Sequence, residues 1–420
     1  MDEKKGMKYK KIFYLFFCAF LLLLKTSFAK ELVYPFSCYT ESELAAVRAW
    51  EREWVGKKID SANAASVKEY LPDSFYQLIT TTHKWGESWF VIVPYQQILP
   101  TPGTITFTKR FYGKPKIDPG SGEILDFIAG VPFPDTTDPL EMAHNFRCRN
   151  FGDSYTSKEE GFIIDGKLHY DLALEINNNM CFFSGRTDKP PVPELPHNPK
   201  DIWRAFTMLQ KQPPEVRNIR IMELHYKDRL KAYDSWFWNP TIRRVRRRST
   251  SERQDAQGGS DICGFDNFGW DGPVSLNKYQ YLGNKELLLC RHNNPKKLSH
   301  VTGNCLCNGT QRERVKVYIV EAVNNDPNFL YSKMIWYLDP ETWQILYSDR
   351  YDSDGKLWKV LDQIGFVASG AGGIEVNSFC AAQMIDVQRT HATLGTSDYS
   401  FGVDLPDTMF TTDFLQKHGY

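Results

Sequence analysis

Two strand-like runs in the C-terminal third place large apolar side chains at alternating positions. Met334, Trp336 and Leu338 alternate in the first, Trp343 and Ile345 in the second. Side chains two apart on a strand share a face, so each run offers an aromatic, apolar wall. A wall of this kind either packs against helices as core or lines a cavity for an apolar ligand. Upstream, Trp236 and Trp238 alternate in the same way and lead into five arginines within six residues, Arg243 to Arg248. Charge on a strand edge blocks aggregation, which is the plainest account of that run. Arg244 and Arg246 could also take an anion such as a lipid phosphate, because guanidinium forks match phosphate. These nine residues, Trp236, Trp238, Arg244, Arg246, Met334, Trp336, Leu338, Trp343 and Ile345, are the candidate ligand contacts.

Patterns for other chemistry are weak or missing. There is no G-x-S-x-G and no H-E-x-x-H. Asp352-x-Asp354 begins like a calcium loop, but Lys356 and Trp358 fall where oxygen ligands are needed. Cys290-Arg291-His292 and Cys305-Leu306-Cys307 miss the usual spacing of a zinc knuckle. No metal, no cofactor and no catalytic residue is therefore assigned, and a hydrolase built on His391 is the least favoured alternative. Of nine cysteines, Cys18 lies in an apolar leader. The other eight, Cys38, Cys148, Cys181, Cys263, Cys290, Cys305, Cys307 and Cys380, form an even set that in an exported chain reads as disulfide candidates with open connectivity.

The elements that must position these residues follow from local pattern. Val315 to Val367 reads as a four-stranded antiparallel meander, β-branched and aromatic in its runs and cut at Pro340 and Gly355. Thr40-Glu41-Ser42-Glu43 is a capping box opening a helix over 40–56, with Leu44, Val47, Trp50 and Trp54 on one face. Asp165-Gly166 closes a hairpin, and Pro190 to Pro199 is a stiff extended connection. Residues 99–123, rich in Pro and Gly, read as loop. Asp201 to Gln210 reads as a short helix, and Arg220 to Tyr233 as two strand-like runs.

The N-terminus has lysines before an apolar run, Ile12 to Leu24, and exits through Ser27-Phe28-Ala29. A basic head, short apolar middle and small-residue exit read as a secretory signal peptide over 1–29, too short to span a bilayer comfortably. Removing its six lysines and two acids from 51 basic and 51 acidic residues leaves a net charge near −4, which argues against nucleic acid as a partner.

Several motifs together resemble a Gram-negative periplasmic family of unknown function. They are Gly130-Val131-Pro132-Phe133-Pro134 with Asn145-Phe146-Arg147, Ser184-Gly185-Arg186-Thr187-Asp188, Arg243 to Arg247 with Arg253-Gln254-Asp255 and Ser260-Asp261, and Tyr337 to Trp343 with Asp352 to Trp358. That family is similar to outer-membrane lipoprotein-sorting carriers of the LolA and LolB type. The resemblance implies a mainly β (α+β) fold, a curved antiparallel sheet forming a half-open barrel with helices over its concave side. It implies such a domain over 30–367 with insertions, followed by a C-terminal extension over 368–420. It also implies a non-enzymatic, periplasmic binding protein for a lipid or hydrophobic small molecule, working beside an exporter of the resistance-nodulation-division type or an outer-membrane component. A structural part of an envelope complex is the alternative.

Overall fold

The computed structural model describes residues 32–417 apart from Phe36, Thr250 and residues 300–302. The signal peptide expected over 1–29 lies outside the described residues. The chain forms two units, Met1–Tyr34 and Pro35–Tyr420, and every helix and strand named below belongs to the second. Among the described residues no helix is long and apolar enough to cross a membrane.

The helices are α1 (Glu41–Trp54), α2 (Asp73–Thr80), α3 (Thr82–Trp85), α4 (Pro102–Phe111), α5 (Pro139–Cys148) and α6 (Thr412–Lys417). The strands are β1 (Lys58–Ile59), β2 (Phe90–Ile92), β3 (Lys116–Ile117), β4 (Ile124–Leu125), β5 (Ser154–Ile164), β6 (Tyr170–Phe182), β7 (Ile202–Gln212), β8 (Arg220–Tyr226), β9 (Asp234–Asn239), β10 (Arg244–Arg247), β11 (Asn277–Leu289), β12 (Thr310–Asn324), β13 (Lys333–Leu338), β14 (Ile345–Tyr351), β15 (Leu357–Ser369), β16 (Glu375–Asp386) and β17 (His391–Phe401). All but β3 and β4 join one large curved sheet that does not close into a barrel. Its order runs β1-β2-β12-β13-β14-β15-β16-β17-β5-β6-β7-β8-β9-β10, with β11 also on β12. The sheet is mixed rather than purely antiparallel, because β2 pairs with β12 in parallel, Phe90 opposite Thr310.

The meander over β12 to β15 forms as its sequence pattern requires. A register shift between Tyr337 and Leu338, opposite Tyr347 and Ile345, breaks the alternation along β14. Ile345 therefore joins one core and Tyr347 the other. Both faces are covered. On one, Ile335, Leu346 and Tyr347 pack with Val47 of α1 and Phe75 and Leu78 of α2. On the other, Met334, Trp336, Leu338 and Ile345 pack with Met142, Ala143 and Phe146 of α5 and with Phe265 and Trp270. Helices thus lie on both sides of this half of the sheet.

The caps explain where the helices begin. Thr40 Oγ1 accepts from Glu43 N while Glu43 Oε2 accepts from Thr40 N, the reciprocal pair of a capping box. Asp138 accepts from the amides of Leu140 and Glu141, and Pro139 occupies the first turn of α5, where no donor is lost.

Three expectations are corrected here. Residues 99–123 contain α4, whose Pro102 starts the helix and whose Gly103 lies so close to Thr187 that a Cβ would sit 2.0 Å from its carbonyl oxygen. Asp201 to Gln210 is not a helix but most of β7, paired on both sides. Residues 368–420 are not an appendage: they supply β16 and β17 to the middle of the sheet, where β17 pairs with β5 from Ala392 opposite Ile164 to Phe401 opposite Tyr155.

Candidate functional site

The strands after the β17–β5 junction form a trough. β5 to β8 make its floor and one wall, β16 and β17 contribute Phe379, Thr393, Gly395 and Tyr399, and the segment from Arg248 to Asp271 lies across it. The cavity between them has a volume of about 160 Å³ and opens to solvent at its mouth. Register fixes the layers of its wall. Asn178 stands opposite Met208, and Met208 opposite Ile221. One layer deeper, Met180 stands opposite Phe206 and Phe206 opposite Glu223. Deeper again, Arg204 stands opposite His225. Towards the mouth the wall is Leu174, Ile176, Met208 and Ile221, all half-buried, with Gln257 exposed. Ile262, Phe268 and Phe379 extend the apolar lining.

The deep end is charged. Asp271, 4% exposed, accepts at Oδ1 from Arg147 Nη1 (2.6 Å) and from Arg204, and at Oδ2 from Arg253 Nη2 (2.7 Å). Arg253 Nη1 also donates to the Asp271 carbonyl (2.7 Å), and its Nε lies 3.9 Å from Glu223 Oε1. Glu223 Oε2 is 3.5 Å from His225 Nε2, while Arg147 Nη2 is 3.4 Å from His225 Nδ1. Burial raises the Asp271 carboxyl, but the three guanidiniums outweigh it and hold the group well below its ordinary value. Burial, followed by Arg204, pushes His225 down to about 4, so its ring is neutral at neutral pH.

Glu223, His225 and Asp271 bring three ligand atoms within 4.8 Å of one another. The chemistry of the set is that of an ion-pair network, since each face of Asp271 is taken by an arginine that would repel a cation. The network also borders a second depression on its far side, lined by Arg147, Arg229, Tyr233 and Phe329.

α5 delivers Arg147 in its last turn, while its buried face packs on the meander, Phe146 lying 5.4 Å from the Trp336 ring centroid. Arg147 and Arg253 both fall in motifs singled out above. Other parts of those motifs hold the backbone. Asn145 bonds both the amide and the carbonyl of Phe133. Asp188 accepts from Gly103 N and Thr101 Oγ1 at the start of α4. Asp339 and Glu341 pair with the buried Arg291.

None of the nine candidate ligand contacts lines the cavity. Met334, Trp336, Leu338, Trp343 and Ile345 are at most 2% exposed and pack in the α5 core. Trp238 is fully buried and Trp236 half-buried in a separate cluster under α6. Arg244 and Arg246 are exposed on β10, the last strand of the sheet. The cavity residues carry a signal of their own that went unread: Leu174-Ile176-Asn178-Met180, Arg204-Phe206-Met208 and Ile221-Glu223-His225 alternate with period two. The eight cysteines are thiols in this structure, not disulfides. Cys181 and Cys263 belong to different apolar clusters from each other and from Cys290, Cys305, Cys307 and Cys380.

No curated protein matches the sequence. Among solved structures, a domain from Vibrio parahaemolyticus named for outer membrane lipoprotein sorting is 15% identical, at a TM-score of 0.48, over 66% of this chain and 98% of that one. A DUF1329 family protein from Desulfovibrio piger is 17% identical, at a TM-score of 0.48, over 66% and 100%. A LolA superfamily protein from Nitrosomonas europaea is 14% identical, at a TM-score of 0.39, over 64% and 94%. The family described as a protein of unknown function, DUF1329, matches residues 58–416, and the chain belongs to it.

Proposed function

We propose that this protein binds and carries a lipid or another ligand with a long apolar body, in the periplasm and without catalysing a reaction. The observation that carries the proposal is the cavity under the Arg248–Asp271 segment, which opens to solvent and has a mainly aliphatic and aromatic wall. Methylenes leaving water for such a wall gain roughly 0.8 kcal/mol each, so a long chain would be held without any covalent step. Asp271 supports binding over catalysis, since arginines engage both of its carboxylate oxygens. The sequence resemblance adds an exporter of the resistance-nodulation-division type, or an outer-membrane component, as the partner that would receive or deliver the ligand.

The test is a mass spectrum of lipid extracted from protein purified in its native compartment, followed by titration of the stripped protein with long-chain lipids. A stoichiometric lipid, and a saturable change in tryptophan fluorescence on its return, are expected. Empty protein that also binds no long-chain lipid would overturn the proposal.

A further inference from the structure

The cavity has an aliphatic wall at Leu174, Ile176, Met208 and Ile221, joined there by Arg248 and by Glu159, whose carboxyl burial raises, and its deep end gathers the arginines. Strand register sets this order: Met208 and Ile221 form one layer, Phe206 and Glu223 the next, Arg204 and His225 the last. Exposure agrees, since Ile221 and Met208 are half-buried while Arg204, Glu223, His225, Arg253 and Asp271 are all buried.

The charges at that end do not balance. Arg147, Arg204 and Arg253 face Asp271 and Glu223, and Arg149 joins them from behind, its Nη2 donating to the carbonyl of the cavity residue Phe268 at 3.0 Å. Four guanidiniums thus meet two carboxylates and a neutral histidine. Burial, then repulsion from Arg204, lowers Arg147 to about 9, and the same two causes, with Arg147, hold Arg149 well below its ordinary value. Arg204 lines the cavity and its buried Nε has no hydrogen-bond partner. A hydrocarbon tail pushed to this depth would strip water from surplus positive charge and return nothing for it, which is costly. An anionic group there would supply the missing counter-charge through short charge-assisted hydrogen bonds.

Building on the carrier reading above, we infer that the ligand is a single-chain amphiphile with an anionic head, bound head-first, the head at Arg204 and Arg253 and the tail along the aliphatic wall towards the mouth. A long-chain carboxylate is the simplest member of the class, and an alkyl phosphate shares its chemistry.

Calorimetry on the full mature chain at neutral pH tests this with palmitate, hexadecyl phosphate and methyl palmitate. Each acid should bind at least about tenfold more tightly than the ester, which has the same chain length as palmitate but no charge; the tighter of the two acids distinguishes carboxylate from phosphate. Arg204→Gln should remove that preference while leaving the ester's affinity within about twofold, and Arg52→Gln, exposed on α1 and outside the cavity lining, should leave the preference intact. Should Arg204→Gln fail to fold, palmitate labelled with ¹³C at its carboxyl reports on the wild type: a head at the floor stays ionised to lower pH than the free acid. Equal affinity for acids and ester, loss of the preference in Arg52→Gln, or a bound carboxyl that titrates like a free one overturns the head-first assignment and leaves the carrier reading standing. Failure of all three probes to bind overturns the carrier reading itself.

Discussion

Replacing Asp271 by Asn tests the charged floor from two directions at once. The carboxylate is 4% exposed and takes bonds from Arg147 (2.6 Å), Arg204 and Arg253 (2.7 Å). Removing one member of a buried ion pair typically costs about 3–5 kcal/mol, because the partner keeps its charge and loses its compensation. Asn retains one acceptor oxygen, so the lower end, about 3 kcal/mol, is expected, a large part of the roughly 5–15 kcal/mol that holds an ordinary domain folded. Urea unfolding followed by tryptophan fluorescence measures it. The acid limb should change as well. A carboxyl held below its ordinary value contributes stability that is present above the unfolded pKa, near 3.8, and is lost as pH falls through the folded one. The Asn variant lacks this loss, so the stability gap between the two proteins narrows on acidification. Palmitate affinity should move the other way, rising because one more guanidinium lacks a counter-charge. At a free concentration one hundred times its dissociation constant, palmitate should return about 2.7 kcal/mol of stability. A variant as stable as the wild type refutes the balancing role of Asp271. A variant whose palmitate affinity falls refutes a ligand head at the floor.

Two other substitutions separate core from site. Trp336→Ala should cost about 3–5 kcal/mol in urea unfolding, because the ring is fully buried against Phe146 and Tyr279; where the variant is folded its lipid affinity should equal that of the wild type, and a selective loss of affinity would return Trp336 to the site. Asp349 accepts from Ser74 Oγ (2.5 Å) and Tyr337 (3.2 Å), and burial raises its carboxyl to about 6. A raised carboxyl stabilises the fold fully below its unfolded value near 3.8 and loses that contribution as pH rises through 6. Asp349→Asn should therefore be more stable than the wild type above pH 6, by about 2–3 kcal/mol, with the gap closing between pH 6 and 4; a gap independent of pH in melting experiments would refute the shift.

The meander was legible because its signals are local. Strand formers fill the runs, and Pro340 and Gly355 mark the turns. What its aromatic faces meant was not legible. Composition reports that a face is apolar, and both a packed core and a cavity wall satisfy that. The register shift opposite Ile345 added to the difficulty by sending Ile345 and Tyr347 to opposite cores. β7 was lost for another reason: Ala205, Met208, Leu209 and Gln210 favour helix by intrinsic propensity, and pairing with β6 and β8 overrides it. The site was least legible of all. Arg147, Arg204, Arg253 and Asp271 come from a helix end, a strand and a covering segment, and nothing local says that they meet.

The junction of β5 with β17 carries a consequence for how the molecule is made. The ladder from Tyr155–Phe401 to Ile164–Ala392 joins segments more than two hundred residues apart, and among the described residues it alone links the ladder β5 to β10 with the rest of the sheet. Until β17 has been synthesised, β5 is an open edge with a row of unpaired backbone groups, carrying an unfinished trough of apolar side chains behind it. Such contacts close late and slowly, and the waiting edge is an invitation to mispairing. A nascent chain of this design gains little by folding as it emerges. It fits a route on which the whole polypeptide is delivered unfolded and assembles only once its last strand has arrived.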